Sequence, residues 1–365
     1  MDSHTKYMSL ALRLAKKAEG MTSPNPMVGA VLVKKNKIIG QGFHKKAGLP
    51  HAEIEAFNDA IKKRNSINGA TLYVTLEPCC HENKRTPPCV RAIIENKISK
   101  VYVAMLDPNP KVSGNGIKLL RKNGIKVETG ILEDKAKELN EAFTKYITTG
   151  KPFVILKLAA TMDGKIAAYT GDSKWIGSPI QRKYAHKLRN QVDGVMVGIE
   201  TVLKDNPSLN VRLSGKKADP IPIVLDRKLR IPLDANLLKI HENQIVATST
   251  QSKSTKVERL ENLGATILQI KEDKSGRLSL RELVRKLGKQ EIMSVLIEGG
   301  SKVAASALKS GIVDKVVFFY SPKIVGAEGI SMIGELGIST IKKSLQIKNI
   351  KIRKIKDEVM IEGYL

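Results

Sequence analysis

The sequence predicts an α/β protein that is divided into two domains. Apolar residues recur at helical and at strand spacing in alternation along most of the chain, and this alternation stops and restarts across residues 148–152. The length agrees with two domains, since 365 residues exceed what one ordinary hydrophobic core accommodates. We therefore expect a first domain over residues 1–147 and a second domain over residues 152–365.

The first domain is predicted to open with a helix and a strand hairpin, after which helices and strands alternate. The breaker cluster SPNP at residues 23–26 separates the first helix, which ends at Gly20, from the hairpin. The predicted helices cover residues 5–19, 51–63, 87–96, 116–122 and 133–147. The predicted strands cover residues 28–33, 38–43, 70–76, 100–106 and 126–130. This order is typical of an α/β sandwich.

The second domain is predicted to repeat the alternation and to end in a hairpin. Its helices are predicted over residues 178–191, 255–262, 278–287 and 301–309. Its strands are predicted over residues 153–160, 194–199, 221–225, 245–248, 266–270, 294–297 and 315–320. From residue 345 to the end, apolar and charged residues alternate, as expected of a hairpin with one exposed face.

The bulk composition is that of a globular protein, with 42% hydrophobic and 27% charged residues. No apolar run reaches about 18 residues and the N-terminus lacks an apolar signal segment, so we expect no membrane span and a cytoplasmic location. The net charge of +26 comes mainly from lysines spread along the chain, and aromatic residues make up only 4%. Because stacking platforms for bases are scarce, we expect no nucleic-acid partner.

The three cysteines lie close together in the first domain, which favours a metal site over a disulfide framework. Cys79, Cys80 and Cys89 follow a His51-Ala52-Glu53 motif earlier in the chain. A His-x-Glu motif followed by Pro-Cys and a further Cys is the signature of zinc deaminases. We expect His51, Cys79 and Cys89 to bind zinc, which leaves one tetrahedral position open for water, and Glu53 to transfer protons.

Two predicted helix starts bring these residues to places that suit a metal. Pro50 precedes one helix, so His51 is expected in its first turn. Thr86 followed by Pro87 marks the start of another helix, with Cys89 in its first turn. The positive end of the helix dipole lies at each helix N-terminus and favours thiolates, because it lowers the pKa of a cysteine thiol there.

The spacing between the cysteines leaves the ligand set open. Nine residues separate Cys79 from Cys89, whereas the usual signature has two. Cys80 is an alternative to Cys79, and His81 is a possible additional ligand.

At these residues the chain resembles a known family, the bifunctional riboflavin-biosynthesis deaminases/reductases. The matching stretches in the first domain are SPNPMVG (23–29), GFH (42–44), AG (47–48), PHAE (50–53), LEPC (76–79), TPPC (86–89) and DPNP (107–110). Those in the second domain are LKLAATMDGK (156–165), GDSKWI (171–176), LR (188–189), TVLKDNPSL (201–209) and EGG (298–300). The family has a long segment between the cysteines, here one residue longer at residues 81–85, and the resemblance favours Cys79 over Cys80 as ligand.

The resemblance implies a cytidine-deaminase-like three-layer sandwich followed by an α/β domain similar to dihydrofolate reductase. It also implies two reactions in riboflavin biosynthesis. The first is zinc-dependent hydrolytic deamination of 2,5-diamino-6-ribosylamino-4(3H)-pyrimidinone 5′-phosphate, and the second is NADPH-dependent reduction of the ribosyl group to a ribityl chain. Members of such a family are commonly homo-oligomers. The alternatives are a zinc-dependent nucleic-acid base deaminase and a protein in which one of the two sites has decayed.

By resemblance, the following residues form the binding sites. The NADPH-binding residues are Ala159, Trp175, Thr201, Asp205, Gly300, Ser301, Lys302, Val303 and Ala304. The substrate-binding residues are Asn25, His44, Asp107, Asn109, Lys157, Ser173, Arg189, Leu209, Arg212 and Glu298.

The residue types of the second domain suggest roles for some of these positions. Lys157 and Glu298 are candidates for binding the ribose and polarising it. Arg189 and Arg212 are candidates for binding the phosphate, because guanidinium groups bind phosphate bidentately. The family position that usually carries a small hydroxyl holds Arg227 in this chain, and its role stays open.

Overall fold

The computed structural model describes residues 2–80, 87–110, 112–215, 218–249 and 254–365. The chain divides into two compact units, Met1–Gly150 and Lys151–Leu365. Each unit has its own sheet and its own buried core, and the predicted α/β class is confirmed in both. Within the described ranges, no helix is both long enough and apolar enough to cross a membrane.

The first unit is built around a five-stranded sheet of order β2-β1-β3-β4-β5. The strand β1 runs antiparallel to both neighbours, whereas β3, β4 and β5 are parallel. Its strands are β1 (Gly29–Lys34), β2 (Lys37–Phe43), β3 (Thr71–Leu76), β4 (Lys100–Met105) and β5 (Lys126–Thr129). Its helices are α1 (Ser3–Lys16), α2 (Ala52–Lys62), α3 (Cys89–Glu95), α4 (Asn115–Lys122), α5 (Glu133–Leu139) and α6 (Glu141–Thr149).

Alternation along the strands separates two apolar faces and gives three layers. Leu32 and Leu72 belong to the face covered by α2, α3 and α4, whereas their neighbours Val31 and Tyr73 belong to the face covered by α1 and α5. The helix α1 lies very close to β1, since a Cβ atom added to Gly29 would lie 2.0 Å from the carbonyl oxygen of Ala11. A glycine at this position is therefore required by packing.

The helix boundaries of this unit differ from the prediction by a few residues, with α1 ending at Lys16 and not at residue 19, and three of the differences have a structural reason or lie at the candidate site. The helix predicted over residues 133–147 is two helices, α5 and α6, because the buried amide of Asn140 binds the backbone of Met27 through two hydrogen bonds, of 2.8 and 3.0 Å. The helix α2 begins one residue after His51, which is its N-cap. The helix α3 begins at Cys89 with Pro88 as its N-cap, and Thr86, expected to cap it, lies outside the described residues.

The second unit contains a nine-stranded sheet of order β11-β10-β9-β8-β12-β6-β13-β16-β15, parallel except for its last two strands. The small pair β14-β7 is separate from it. The strands are β6 (Phe153–Thr161), β7 (Lys165–Ala167), β8 (Gly194–Gly198), β9 (Ile221–Leu225), β10 (Ile245–Ser249), β11 (Thr266–Ile270), β12 (Ser294–Ile297), β13 (Lys315–Ser321), β14 (Ile330–Ser331), β15 (Lys348–Ile355) and β16 (Glu358–Tyr364). The helices are α7 (Pro179–Arg189), α8 (Ile199–Asp205), α9 (Asn236–Ile240), α10 (Ser254–Asn262), α11 (Leu280–Lys289) and α12 (Ser301–Lys309).

The predicted C-terminal hairpin is confirmed as β15 and β16, but the sequence analysis missed several short elements. The strand predicted to include Ile199 ends at Gly198, and Ile199 begins the helix α8. The helix predicted from residue 278 begins at Leu280, because the Ser279 hydroxyl accepts a hydrogen bond from the Glu282 backbone N–H and caps it. The other missed elements are β7, β14, α9 and the short 3-10 helix Ile341–Lys343.

Candidate functional site

The three predicted metal ligands lie together in the first unit. His51 is brought there as the N-cap of α2, Cys89 as the first residue of α3, and Cys79 by the loop after β3. The possible ligand atoms of the three residues all lie within 4.8 Å of one another. The Nδ1 atom of His51 is 3.2 Å from the sulfur of Cys89 and 3.6 Å from that of Cys79.

This donor set fits a zinc ion. With Zn–S of about 2.3 Å and Zn–N of about 2.0 Å, the nitrogen and sulfur ligands of a tetrahedral ion lie about 3.5 Å apart. Both cysteines are buried, and the contact with Cys79, burial and the charge of Glu53 raise the pKa of the Cys89 thiol. Without a metal these contacts favour the neutral thiols, whereas a cation bound between the two sulfur atoms and the His51 nitrogen would favour thiolates, as a zinc site requires.

The Glu53 carboxyl lies beside these ligands at the second position of α2. Only 3% of the residue is exposed, and its side chain contacts Cys89. Burial, together with the negative charge of Cys79, raises the pKa of Glu53, while His51 opposes this rise. A buried carboxyl next to an open metal position is suited to receiving and returning a proton.

His44 and Asn25, two of the predicted substrate-binding residues, form one polar group next to His51. The rings of His44 and His51 are 5.4 Å apart in an edge-to-face arrangement. The Nδ1 atom of His44 lies 3.1 Å from the carbonyl oxygen of Pro50, to which it donates, so in the neutral ring Nε2 accepts from the Asn25 amide at 3.1 Å. Local contacts thus fix the orientation of His44.

The ambiguity between the cysteines is reduced by their surroundings. Cys80 packs against the apolar core of the first unit, and it is not part of the cluster formed by His51, Cys79 and Cys89. His81, the possible additional ligand, lies outside the described residues.

The sequence analysis missed Glu77, a buried carboxylate two residues before Cys79. Its two oxygen atoms accept backbone hydrogen bonds of 2.8 to 3.3 Å from the N–H groups of Asp107, Gly114, Gly116 and Ile117. A Cβ atom added to Gly116 would lie 2.3 Å from the Pro78 carbonyl oxygen, so this helix start fits tightly against the ligand loop. The only sequence signal for this role was a glutamate at the end of an apolar strand.

Asp107 and Asn109, the other predicted substrate-binding residues of this unit, follow β4. The strands β3 and β4 are parallel neighbours, so the Asp107 loop lies at the same sheet edge as the ligand loop. The Asp107 carboxylate accepts a hydrogen bond of 2.9 Å from the Asn109 backbone N–H, which closes a turn.

In the second unit, Lys157, Arg189 and Glu298 form a charge network. Leu156 on β6 pairs with Ile297 on β12, so Lys157 and Glu298 follow at adjacent positions of two neighbouring strands. The Arg189 guanidinium binds both carboxylate oxygens of Glu298, at 2.7 and 3.0 Å, and the Lys157 ammonium lies 4.0 Å from the same carboxylate. The three side chains are only 12 to 15% exposed.

The network strongly perturbs the ionisation of its members. Burial opposes ionisation of Glu298, but the positive charges of Arg189 and Lys157 outweigh it and lower the pKa of Glu298 to about 2. Burial lowers the pKa of Lys157, Glu298 opposes this, and Arg189 adds to the lowering. Lys157 is therefore a better proton donor than an exposed lysine.

The remaining predicted substrate-binding residues of the second unit differ in how exposed they are. Arg212 is exposed, and its Nη1 atom lies 3.2 Å from the Asn210 side-chain oxygen. Ser173 is exposed in a loop. Leu209 is only 2% exposed and packs into the interior.

The predicted cofactor residues surround the carboxyl ends of several strands. Gly300 is the N-cap of α12, and residues 301–304 form the first turn of this helix. A Cβ atom added to Gly300 would meet open space, which leaves the backbone N–H groups of the helix start accessible to a phosphate. Trp175 is 64% exposed and carries the Arg182 guanidinium 4.5 Å from its ring centre.

The three other predicted cofactor residues lie on two elements, β6 and α8. Ala159 is partly buried on β6, two residues from Lys157, and Thr201 and Asp205 belong to α8, the helix that the prediction missed.

Comparisons with known proteins agree with this pair of sites. The family model described as the cytidine and deoxycytidylate deaminase zinc-binding region matches residues 1–105, and the model of the RibD C-terminal domain matches residues 152–361. A riboflavin biosynthesis protein RibD of Aquifex aeolicus is 47% identical over 97% of this chain and 96% of its own length. The Escherichia coli protein of the same name is 37% identical over 97% of each chain.

Solved structures show the same agreement. A structure of Acinetobacter baumannii RibD superposes with a TM-score of 0.89 at 36% identity, covering 99% of this chain and 98% of the other. A Thermotoga maritima deaminase/reductase superposes with a TM-score of 0.87 at 39% identity and the same coverage. The chain therefore belongs to the RibD family of bifunctional riboflavin-biosynthesis enzymes, which join a zinc-dependent deaminase to an NADPH-dependent reductase.

Proposed function

We propose that residues 1–147 deaminate 2,5-diamino-6-ribosylamino-4(3H)-pyrimidinone 5′-phosphate and that residues 152–365 then reduce its ribosyl group to a ribityl chain. The proposal rests most directly on one observation, the burial of Glu53 beside the cluster of His51, Cys79 and Cys89. The Thermotoga maritima relative is described as a deaminase of a diaminohydroxyphosphoribosylaminopyrimidine and a reductase of a phosphoribosylaminouracil, which supports the same two substrates.

In the deamination, His51, Cys79 and Cys89 hold the metal and Glu53 transfers protons. A zinc ion bound there supplies a nucleophile at neutral pH, because it lowers the pKa of water to about 7. The Glu53 carboxylate takes one proton from the attacking water and returns it to the amino nitrogen of the ring. The ring carbon gains an oxygen and loses ammonia, so one water is consumed for each ammonia released.

Asn25 and His44 are proposed to orient the pyrimidine ring. His44 is held by Pro50 and Asn25 and faces His51, so its ring and the Asn25 amide form one rigid polar wall. Asp107 and Asn109 are proposed to contact the substrate from the neighbouring loop, which Glu77 ties to the ligand loop. A rigid wall lowers the entropy cost of holding the ring in position.

In the reduction, Lys157 is proposed to deliver a proton and Glu298 to hold the ribose. The open-chain imine of the substrate accepts a hydride from NADPH at its carbon and a proton at its nitrogen. Burial lowers the pKa of Lys157, which supports the proposal that its ammonium group donates that proton. Since Glu298 stays ionised, its oxygen atoms accept hydrogen bonds from hydroxyl groups.

The clamp on the substrate phosphate is assigned to Arg212 and not to Arg189. The Nε and Nη2 atoms of Arg189 both donate to Glu298, and its Nη1 atom donates to the Asn210 carbonyl oxygen at 3.1 Å. Arg189 therefore positions Glu298, whereas the exposed guanidinium of Arg212 is directed to solvent and suits a phosphate. Ser173 and Leu209 complete the proposed substrate contacts.

We also propose that the protein acts in the cytoplasm as a homo-oligomer without a nucleic-acid or membrane partner. The support is its family membership, together with the small phosphorylated pyrimidine that both proposed reactions use. Size-exclusion chromatography with light scattering measures the number of subunits, and a monomer would contradict this part of the proposal.

The test is an ultraviolet-absorbance assay on the zinc-loaded full chain with the diaminopyrimidinone ribosyl phosphate, with and without NADPH. We expect the wild type to deaminate without NADPH and to consume NADPH only after deamination. Glu53→Ala should do neither, yet should reduce the deaminated intermediate when it is supplied. Glu55→Ala removes a carboxylate on the same helix that pairs with Lys45, and should behave as the wild type. A zinc-loaded wild type that leaves the substrate unchanged would contradict the proposal.

A further inference from the structure

A buried carboxylate that neither proposed reaction uses lies at the start of β16. Glu358 is only 6% exposed, although it is the first residue of its strand. Its Oε1 atom accepts a hydrogen bond of 2.8 Å from the Ser178 backbone N–H, and its Oε2 atom accepts one of 2.6 Å from the Ser178 hydroxyl. The Ser321 hydroxyl donates a longer hydrogen bond, of 3.3 Å, to Oε1. Glu358 therefore binds Ser178, 180 residues away in sequence, through both of its oxygen atoms.

These contacts hold the loop 168–178, which joins β7 to α7, at its C-terminal end. Ser178 is the last residue of this loop and the N-cap of α7, where its hydroxyl accepts a hydrogen bond from the Gln181 backbone N–H. If the loop moved away, Glu358 would keep only the long hydrogen bond from Ser321. A buried carboxylate with a single donor is strongly unfavourable, so the burial of Glu358 opposes release of the loop.

A second contact fixes the same loop three residues earlier. The Lys323 ammonium donates a hydrogen bond of 2.6 Å to the Trp175 carbonyl oxygen. Lys323 follows the end of β13, and β13 pairs with β16, so the residues that hold Trp175 and Ser178 come from neighbouring strands. Because both ends of this short stretch are bound, its backbone has little conformational freedom.

The loop exposes its tryptophan while fixing its orientation. Trp175 is 64% exposed, and the Arg182 guanidinium lies over its ring, 4.5 Å from the ring centre. Arg182 is itself held, since its Nη1 atom donates a hydrogen bond of 3.0 Å to the Gly177 carbonyl oxygen. An exposed aromatic ring that is held in one orientation is suited to stacking on a flat ring of a ligand.

We propose that Glu358 is a positioning residue of the reductase, which holds the loop 168–178 so that Trp175 is in place before NADPH binds. The inference rests on the proposed NADPH-dependent reduction and on Trp175 as a contact of the cofactor. Without Glu358, only a fraction of the molecules would have Trp175 in the binding arrangement, and the apparent affinity for NADPH would fall by that fraction. The chemical step would change little, since Lys157 and Glu298 belong to β6 and to the end of β12.

The test is steady-state reduction of the deaminated intermediate by the full chain, with the NADPH concentration varied. We expect Glu358→Ala to raise the KM for NADPH about tenfold and to change kcat by less than about twofold. Lys323→Met removes the exposed partner of the loop and should raise this KM by about threefold. Glu358→Gln keeps an acceptor for Ser178, so its KM should lie between those of the wild type and Glu358→Ala. The matched control is Glu362→Gln, which removes a carboxylate of the same strand that pairs with Arg353 at 3.5 Å, and it should leave both constants unchanged.

A spectroscopic measurement separates positioning from a purely structural role. Trp175 is the single tryptophan of the chain, so the decay of its fluorescence anisotropy reports the nanosecond motion of this loop. We expect faster local depolarisation in Glu358→Ala and in Lys323→Met than in the wild type. Addition of NADP⁺ should restore the slow decay in both variants, because the bound cofactor would then hold the ring.

The possible results separate the positioning role from the function on which it rests. A KM and an anisotropy decay that stay at their wild-type values in Glu358→Ala and Lys323→Met would overturn the positioning role, even if thermal stability falls. A loss of kcat without a change in KM would overturn it as well. If Glu358→Ala does not fold, Lys323→Met and Glu358→Gln decide between the same results. A wild type that does not oxidise NADPH with the deaminated intermediate would overturn the reductase assignment, whereas the anisotropy would still show whether Glu358 holds the loop.

Discussion

Replacement of Glu298 by glutamine tests the charge network of the second unit. The substitution keeps the shape of the side chain but removes the negative charge that Arg189 and Lys157 share. The pKa of Glu298 is lowered from 4.5 to about 2, and one pKa unit corresponds to about 1.4 kcal/mol. Since the three side chains are at most 15% exposed, solvent screening is weak, and the ionised form of Glu298 contributes about 3 kcal/mol to the stability of this unit.

The pH dependence of this contribution has a definite sign. Because the pKa of Glu298 is lower in the folded than in the unfolded chain, its contribution is fully present above about pH 4.5 and is lost as the pH falls toward 2. We therefore expect Glu298→Gln to be less stable than the wild type by about 3 kcal/mol at pH 7 and at pH 5. The difference should narrow as the pH is lowered below 4.

The assay is urea unfolding followed by tryptophan fluorescence and circular dichroism. Trp175 is the single tryptophan of the chain, so its fluorescence reports the second unit alone. The matched control is Glu200→Gln, whose partner Arg230 is 45% exposed, and this exposed pair should contribute less than about 1 kcal/mol. The reasoning is refuted if Glu298→Gln stays within about 1 kcal/mol of the wild type at pH 7, or if the difference does not narrow in acid.

Three further substitutions test the first unit. Cys89→Ser should lower the bound zinc, measured by atomic absorption, and abolish deamination while the reductase still acts on deaminated substrate; full zinc content would contradict the ligand assignment. Gly29→Ala places a methyl group 2.0 Å from the Ala11 carbonyl oxygen and should destabilise the unit by about 1–3 kcal/mol in thermal melts, whereas an unchanged melt would show that α1 moves freely. Asn140→Ala removes two hydrogen bonds to the Met27 backbone and should lower the free energy of unfolding by about 1–3 kcal/mol in the same melts. Asn140→Asp keeps the acceptor for the Met27 N–H and should lower it less; equal losses would contradict this role of the side chain.

Most of the regular structure could be predicted because periodicity is a local property. Most strands of the two large sheets and the long amphipathic helices were predicted from the spacing of apolar residues alone. The break between α5 and α6 was not, because the Asn140 side chain that makes it binds Met27, more than 100 residues earlier in the chain. Short elements such as α8 were missed for a related reason, since few residues carry their pattern.

The candidate sites show the same division between local and distant information. The cluster of His51, Cys79 and Cys89 could be predicted because a motif of fixed residue types marks these positions. Glu77 was missed because its role depends on backbone N–H groups 30 to 40 residues away in sequence. Its partners carry no sequence signal, since every residue other than proline offers the same donor.

In the second unit the sequence pointed to Lys157, Arg189 and Glu298 separately, but not to the network that they form. The order of strands in the sheet, with β6 next to β12, brings Lys157 beside Glu298, and this order is not visible in a single sequence. Arg189 was expected to bind the substrate phosphate, but its guanidinium is directed to Glu298. That these three residues form one network becomes visible only when the order of strands in the sheet is known.

The two units hold their buried carboxylates by different physical means, and the difference suits their chemistry. Glu77 is stabilised by neutral backbone N–H groups, which orient the loop of Cys79 without adding a full positive charge near a metal cation. Glu298 is stabilised by Arg189 and Lys157, whose charges lower its pKa. A positive side chain near the proposed zinc ligands would repel the metal, whereas the proposed reduction requires a cation that can protonate the substrate. The kind of partner each carboxylate has therefore follows from the charge that each reaction requires nearby.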